Sequence, residues 1–143
     1  MKPRRLLLLA LLLCWPLLSP GADGLKPSEM KTKDTLHAVI SSQLAAFRAG
    51  DYAAAYVFAD DEIKQKAGVE QFEVMVRRGY PAIAQSASAT FGLTFDNGDE
   101  AVVNVRVVGA NQEALTYQYM LRRSGDGWRI TGVVPLKEQT TEV

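Results

Sequence analysis

Residues 102–121 read VVNVRVVGANQEALTYQYML, and this stretch decides the class of fold. Two runs of alternating apolar and polar residues lie on either side of a turn-forming sequence, Gly109-Ala110-Asn111. Such alternation places the apolar side chains on one face of a β-strand and the polar side chains on the other. The stretch therefore predicts two antiparallel strands that share one buried face.

The same alternation recurs on both sides of this hairpin, at Phe91, Leu93 and Phe95 upstream and at Trp128 and Ile130 downstream. The sequence therefore predicts four strands with one common apolar face. A two-residue turn at Asn97-Gly98 would place the apolar residues of the first two strands on opposite faces. We therefore expect a longer loop or a bulge between Asp96 and Glu100, with Leu93 opposite Val103.

Upstream of residue 85 the apolar residues are spaced by three and four, which predicts helices. The first is predicted from Asp34 to Gly50, the second from Tyr52 to Ala59 with Asp51 as its cap, and the third from about Val69 to just before Pro81. Helices followed by antiparallel strands are typical of an α+β domain. We expect the N-terminal helices to pack on one face of a curved antiparallel four-strand sheet.

The first 22 residues have the pattern of a signal peptide. Basic residues in Met1–Arg5 precede an apolar run, Leu6–Leu18, which as a helix is about 20 Å long and too short for a hydrocarbon core of about 30 Å. We expect cleavage after Ala22, export to the periplasm or the medium, and no stable membrane anchor. Residues 23–33 then form a flexible lead-in, and residues 34–143 form the domain.

Charge and motif content exclude several classes of function. The chain has 16 basic and 16 acidic residues, so it has no net charge to attract nucleic acid. Its single cysteine, Cys14, lies in the signal peptide, so the mature chain has no disulfide or thiolate metal site. No spacing typical of a metal site, a nucleotide-binding loop or a catalytic triad is present, so we expect no metal, no cofactor and no nucleic-acid partner.

Three segments resemble a bacterial family, domain of unknown function 4864. They are QLAAFRAGDYAAAY at residues 43–56, FEVMVRRGYP at residues 72–81 and GWRITGV at residues 127–133. The resemblance covers about residues 36–136 and implies the nuclear transport factor 2-like superfamily, in which a curved sheet and helices form a cone. Such cones often hold a ligand between helices and sheet. The superfamily includes enzymes and binding modules, so the resemblance predicts a fold and leaves the activity open.

Four tyrosines are the candidate ligand-binding residues. Tyr117 and Tyr119 are the polar residues on the apolar sheet face, and their hydroxyls need partners if they are buried. Tyr80 lies in the Gly-Tyr-Pro sequence and could border the pocket mouth, and Tyr56 lies on the second predicted helix. The alternative is that these are ordinary core tyrosines whose hydroxyls reach the rim.

Other polar residues have structural interpretations first. His37 lies at the edge of the apolar stripe of the first helix, where a rim or solvated histidine is expected. Asp60 and Asp61 are adjacent, so their side chains diverge, and they are expected to form the turn at a helix end. No catalytic residue is assigned.

Three hypotheses for function follow. The first is an exported, non-catalytic domain that binds a small apolar molecule or an envelope protein. The second is a small pocket enzyme of the isomerase, dehydratase or hydrolase type that uses a tyrosine hydroxyl and Asp60 or Asp61. The third is a structural or assembly subunit that forms a homodimer through its sheet.

Overall fold

Five antiparallel strands form a single sheet in the computed structural model, which describes residues 24–137. The strands are β1 (Lys26–Pro27), β2 (Ser86–Asp96), β3 (Glu100–Gly109), β4 (Ala114–Ser124) and β5 (Gly127–Pro135), and each pairs with the next in chain order. The prediction of four strands was wrong by one, because Lys26 and Pro27 pair with Asp96 and Phe95 at the edge of the sheet. Two residues are too few to show an alternating pattern.

Within residues 24–137, five helices accompany the sheet: α1 (Met30–Arg48), α2 (Tyr52–Tyr56), α3 (Asp61–Lys66), α4 (Val69–Gly79) and α5 (Pro81–Ala84). The three predicted helices correspond to α1, α2 and α4, and the Asp51 side chain accepts a hydrogen bond from the Ala54 amide at 3.0 Å, as expected of a cap. Helix α1 begins one turn earlier than predicted. Residues 23–33 thus include β1 and the first residues of α1, where the sequence predicted a flexible lead-in.

The α+β class is confirmed, with helices packed against one face of an antiparallel sheet. The apolar stripe of α1 and the inward side chains of β3, β4 and β5 form one buried core. The largest fully buried side chains in this core are Leu36, Ile40, Leu44, Val103, Val105, Val107, Tyr117, Tyr119 and Leu121. Packing of α1 against the sheet thus follows directly from the two apolar patterns.

A β-bulge in β2 corrects the predicted register. Phe91 lies opposite Val105, but Thr94 lies opposite Val103, so β2 contains one extra residue between these pairs. The longer loop between Asp96 and Glu100 is confirmed, whereas the predicted pairing of Leu93 with Val103 was wrong. The bulge turns Thr94 inward, where it is buried, and leaves Leu93 65% exposed.

His37 contacts both ends of this bulge. Its ring stacks on Phe91 at 4.2 Å between ring centroids, and its Nε2 lies 2.9 Å from Thr94 Oγ1. Because the Thr94 hydroxyl donates its proton to the Gly92 carbonyl oxygen at 3.2 Å, it accepts a hydrogen bond from His37 Nε2–H. The rim histidine predicted from sequence therefore joins α1 to the irregular part of β2.

The pKa of His37 supports a prediction about stability and pH. Burial lowers this pKa from the ordinary value of 6.5, Asp34 raises it and Lys33 lowers it. Because the folded state favours neutral His37, protonation below pH 6.5 should lower the free energy of unfolding. We expect the stability difference between the wild type and His37→Gln to be constant above about pH 7.5, and we expect the wild type to lose stability relative to the variant as the pH falls below about 6.5.

Urea titrations of both proteins at several pH values would measure this difference, and the carboxylates that do not interact with His37 cancel in the comparison. A stability difference that does not vary between pH 7.5 and 5 would mean that His37 titrates alike in the folded and unfolded states.

Candidate functional site

An apolar cavity of about 350 Å³ lies between the helices and the β4–β5 end of the sheet. Helices α1, α3, α4 and α5 supply one side of it, and β4 and β5 supply the other. Its walls are mainly aliphatic and aromatic, and include Phe47, Ile63, Phe72, Val76, Ile83 and Ile130. Met75 and Lys66 also line the cavity and are exposed, so they lie at its opening.

Tyr119 is the most informative residue of the cavity wall. The side chain is completely buried, and its hydroxyl has no hydrogen-bond partner. Leaving a buried donor unsatisfied costs about 1–3 kcal/mol. Burial raises the pKa of Tyr119 strongly, and the nearby Tyr117 and Tyr80 raise it further, so the hydroxyl stays protonated. It is therefore a buried hydrogen-bond donor without a partner, on a residue that lines the cavity.

Strand pairing explains why Tyr119 faces the helices. Tyr119 lies opposite Val103 on one side and Val133 on the other, within the inward row of β4. Another bulge, at Thr131 of β5, lies beside this pair, and the Thr131 hydroxyl donates to the Met120 carbonyl oxygen at 3.1 Å. The cavity wall at Thr131 and Val133 is thus an irregular section of an edge strand.

Tyr80 lines the cavity, at the junction of α4 and α5. Its hydroxyl donates to the Val133 carbonyl oxygen at 2.9 Å, so it ties the helices to the outer edge of β5. The ring of Tyr117 lies 6.1 Å from that of Tyr80, and burial, followed by Tyr80, raises the pKa of Tyr117. Tyr117 belongs to the core beside the cavity and does not line it.

Tyr56 stabilises a different part of the fold. Its hydroxyl donates to the Ala67 carbonyl oxygen at 2.6 Å, which holds the segment between α3 and α4 against α2. Tyr56 does not line the cavity. Of the four tyrosines proposed from sequence, the structure therefore places Tyr80 and Tyr119 on the cavity wall.

A family model, Domain of unknown function (DUF4864), matches residues 29–143. The chain belongs to this family. No curated protein and no solved structure matches the chain.

The two carboxylates considered for catalysis lie outside the cavity of this DUF4864 domain. Asp60 is buried at the start of α3. It accepts a hydrogen bond from the Glu62 amide and forms an ion pair with Arg122, both at 3.2 Å. Asp61 is exposed. The predicted helix-end turn is thus the beginning of a helix that sequence reasoning missed, because a helix of six residues has too few turns to show a period.

Gln43, Lys66 and Met75 are three of the cavity residues of the DUF4864 domain that were not predicted. Gln43 interrupts the apolar stripe of α1 three residues after Ile40, a signal that could have identified it. Its Nε2 donates to the Ala55 carbonyl oxygen at 3.2 Å. Lys66 had no such signal, because the short helix α3 that carries it was not predicted.

Within residues 24–137, no group of three or more His, Cys, Asp or Glu residues could hold a metal ion.

Proposed function

We propose that this DUF4864 domain is a non-catalytic binding protein that encloses a small, mainly apolar molecule with a hydrogen-bond acceptor inside the cavity. The observation that supports the proposal is Tyr119, a residue that lines an apolar cavity and whose buried hydroxyl has no partner. A buried hydroxyl without a partner destabilises the ligand-free protein, and a bound hydrogen-bond acceptor removes that cost. That acceptor of the ligand would thereby be oriented towards β4.

The size and lining of the cavity fit this class of ligand. Its volume of about 350 Å³ lies at the lower end of the range of about 300–1,000 Å³ that is usual for small-molecule sites. Burial of apolar ligand surface against walls such as Phe47 and Phe72 would supply most of the binding free energy, at about 25 cal/mol per Å². Tyr119 would contribute selectivity for an oxygen-containing ligand.

The cavity chemistry favours binding over the enzymatic hypothesis. That hypothesis requires a carboxylate next to a tyrosine hydroxyl, whereas Asp60 is held by Arg122 away from the cavity wall. Among the described residues that line the cavity there is no histidine or carboxylate to serve as a general base. Tyr119 itself has a raised pKa, which suits it as a donor and not as a base.

Cellular location and superfamily form part of the same proposal. We include export, with removal of residues 1–22, because the basic start and the short apolar run form a complete signal sequence; these residues lie outside the described part of the chain. No helix in residues 24–137 is long and apolar enough to span a bilayer. The helices packed on one face of an antiparallel sheet also support membership of the nuclear transport factor 2-like superfamily.

A fluorescence titration tests the binding proposal. The neutral dye N-phenyl-1-naphthylamine brightens in apolar sites, and we expect it to bind the wild-type domain. Met75→Trp enlarges a side chain at the cavity opening and should weaken dye binding about tenfold, or about 1.4 kcal/mol. Val74→Trp is the matched control, because Val74 is the preceding residue of α4, is similarly exposed at 49% against 44% for Met75, and does not line the cavity.

The outcomes are distinct. Weaker binding in Met75→Trp with wild-type binding in Val74→Trp would support the cavity as the site. No dye binding to the wild type, or equal losses in both variants, would refute the proposed function.

A further inference from the structure

We infer that the ligand is an anionic amphiphile, whose acidic group lies beside Lys66 at the cavity opening while its mainly apolar body, which carries the acceptor for Tyr119, fills the interior. This inference rests on the proposed function and specifies the class of molecule bound. Lys66 is the charged residue among the described residues that line the cavity, and every other polar lining residue is neutral.

The position of Lys66 suits a headgroup contact. It is the last residue of α3, it is exposed, and it lines the cavity together with Ile63 and Ala67 of the same segment. A lysine in this position covers apolar surface with its methylene groups and keeps its ammonium group in water. The bound molecule would therefore meet apolar walls inside and a positive charge at the opening.

The charge of Lys66 also lacks a counter-charge within the described part of the chain. There, the ion pairs join Arg77 to Glu73, and Arg122 to Asp60 and Glu62, so these basic side chains are engaged. Lys64, on the same short helix, lies over the Tyr56 ring at 5.6 Å and donates to the Val57 carbonyl oxygen. Lys66 forms none of these contacts among the described residues.

No described carboxylate lines the cavity, so the charge that the lining carries is the positive charge of Lys66. A ligand with a carboxylate at the opening would gain an ion pair, whereas a cationic ligand would be repelled. Because the opening is partly solvated, the ion pair should change affinity by about threefold to fivefold, and added salt should reduce that change. Most of the affinity would still come from the apolar chain.

The test compares two competitors that differ in charge. Decanoate and 1-decanol are titrated against bound N-phenyl-1-naphthylamine at neutral pH, with the wild type, Lys66→Met, Lys66→Arg and Lys64→Met. We expect Lys66→Met to weaken decanoate about threefold to fivefold and to leave 1-decanol unchanged. Lys66→Arg should retain decanoate binding, and Lys64→Met should behave as the wild type because Lys64 does not line the cavity.

Equal effects of Lys66→Met on the two competitors, or equal effects of Lys66→Met and Lys64→Met on decanoate, would overturn the inference. Dye binding that neither competitor displaces would also overturn it, while the proposed apolar site would stand. Failure of the wild type to bind the dye at all would instead refute the proposed function, so the two failures are distinguishable.

Discussion

Replacing Trp128 by alanine should lower the free energy of unfolding by about 3–5 kcal/mol. Trp128 lies on β5 with only 3% of its surface exposed, within the core shared by the sheet and the helices. Its ring also lies 5.0 Å from the guanidinium carbon of Arg123 on the neighbouring strand. Loss of the ring removes this contact and leaves a cavity that the surrounding strands cannot close fully.

A urea titration followed by circular dichroism would measure the effect of Trp128→Ala. Leu93→Ala is the control, because Leu93 is a large apolar residue of the same sheet but is 65% exposed at the bulge. It should change stability by less than about 0.5 kcal/mol. A loss below about 1 kcal/mol for Trp128→Ala would contradict the placement of Trp128 in the core.

Replacing Tyr119 by phenylalanine should have opposite effects on stability and on ligand binding. Without ligand, the variant loses a buried hydroxyl that has no partner, so we expect it to be more stable by about 1–3 kcal/mol. A ketone such as 2-decanone accepts a hydrogen bond, so its affinity should fall about threefold to tenfold, as for one net hydrogen bond. Binding of the aromatic dye, which lacks an oxygen acceptor, should persist.

Tyr80→Phe provides the comparison for Tyr119→Phe. Tyr80 also lines the cavity, but its hydroxyl already donates to the Val133 carbonyl oxygen, so its removal should destabilise the domain by about 0.5–1.5 kcal/mol. Destabilisation by Tyr119→Phe would mean that the Tyr119 hydroxyl is already satisfied, and unchanged ketone affinity would remove it from the binding site. Either result would take away the observation on which the proposed function rests.

The sequence predicted part of the candidate site but not all of it. Alternation in β4 predicted that Tyr119 faces inward, and the Gly-Tyr-Pro sequence suggested Tyr80 for the pocket mouth. The pattern treated Tyr117 and Tyr119 alike, because residues two apart on a strand share a face. Both belong to the buried core, and only the packing of the helices over the β4–β5 end of the sheet makes Tyr119, and not Tyr117, a lining residue of the cavity.

The sequence by itself determined the α+β class, the buried stripe of α1 and the inward faces of β3, β4 and β5, because a single element shows its buried face through its own period. The tertiary structure decided the pairing of β1, the short helices α3 and α5, and the bulge that turns Thr94 inward. It also decided that Lys66 meets the cavity opening. These features depend on contacts between residues distant in the chain, and very short elements or single extra residues have no period that could reveal them.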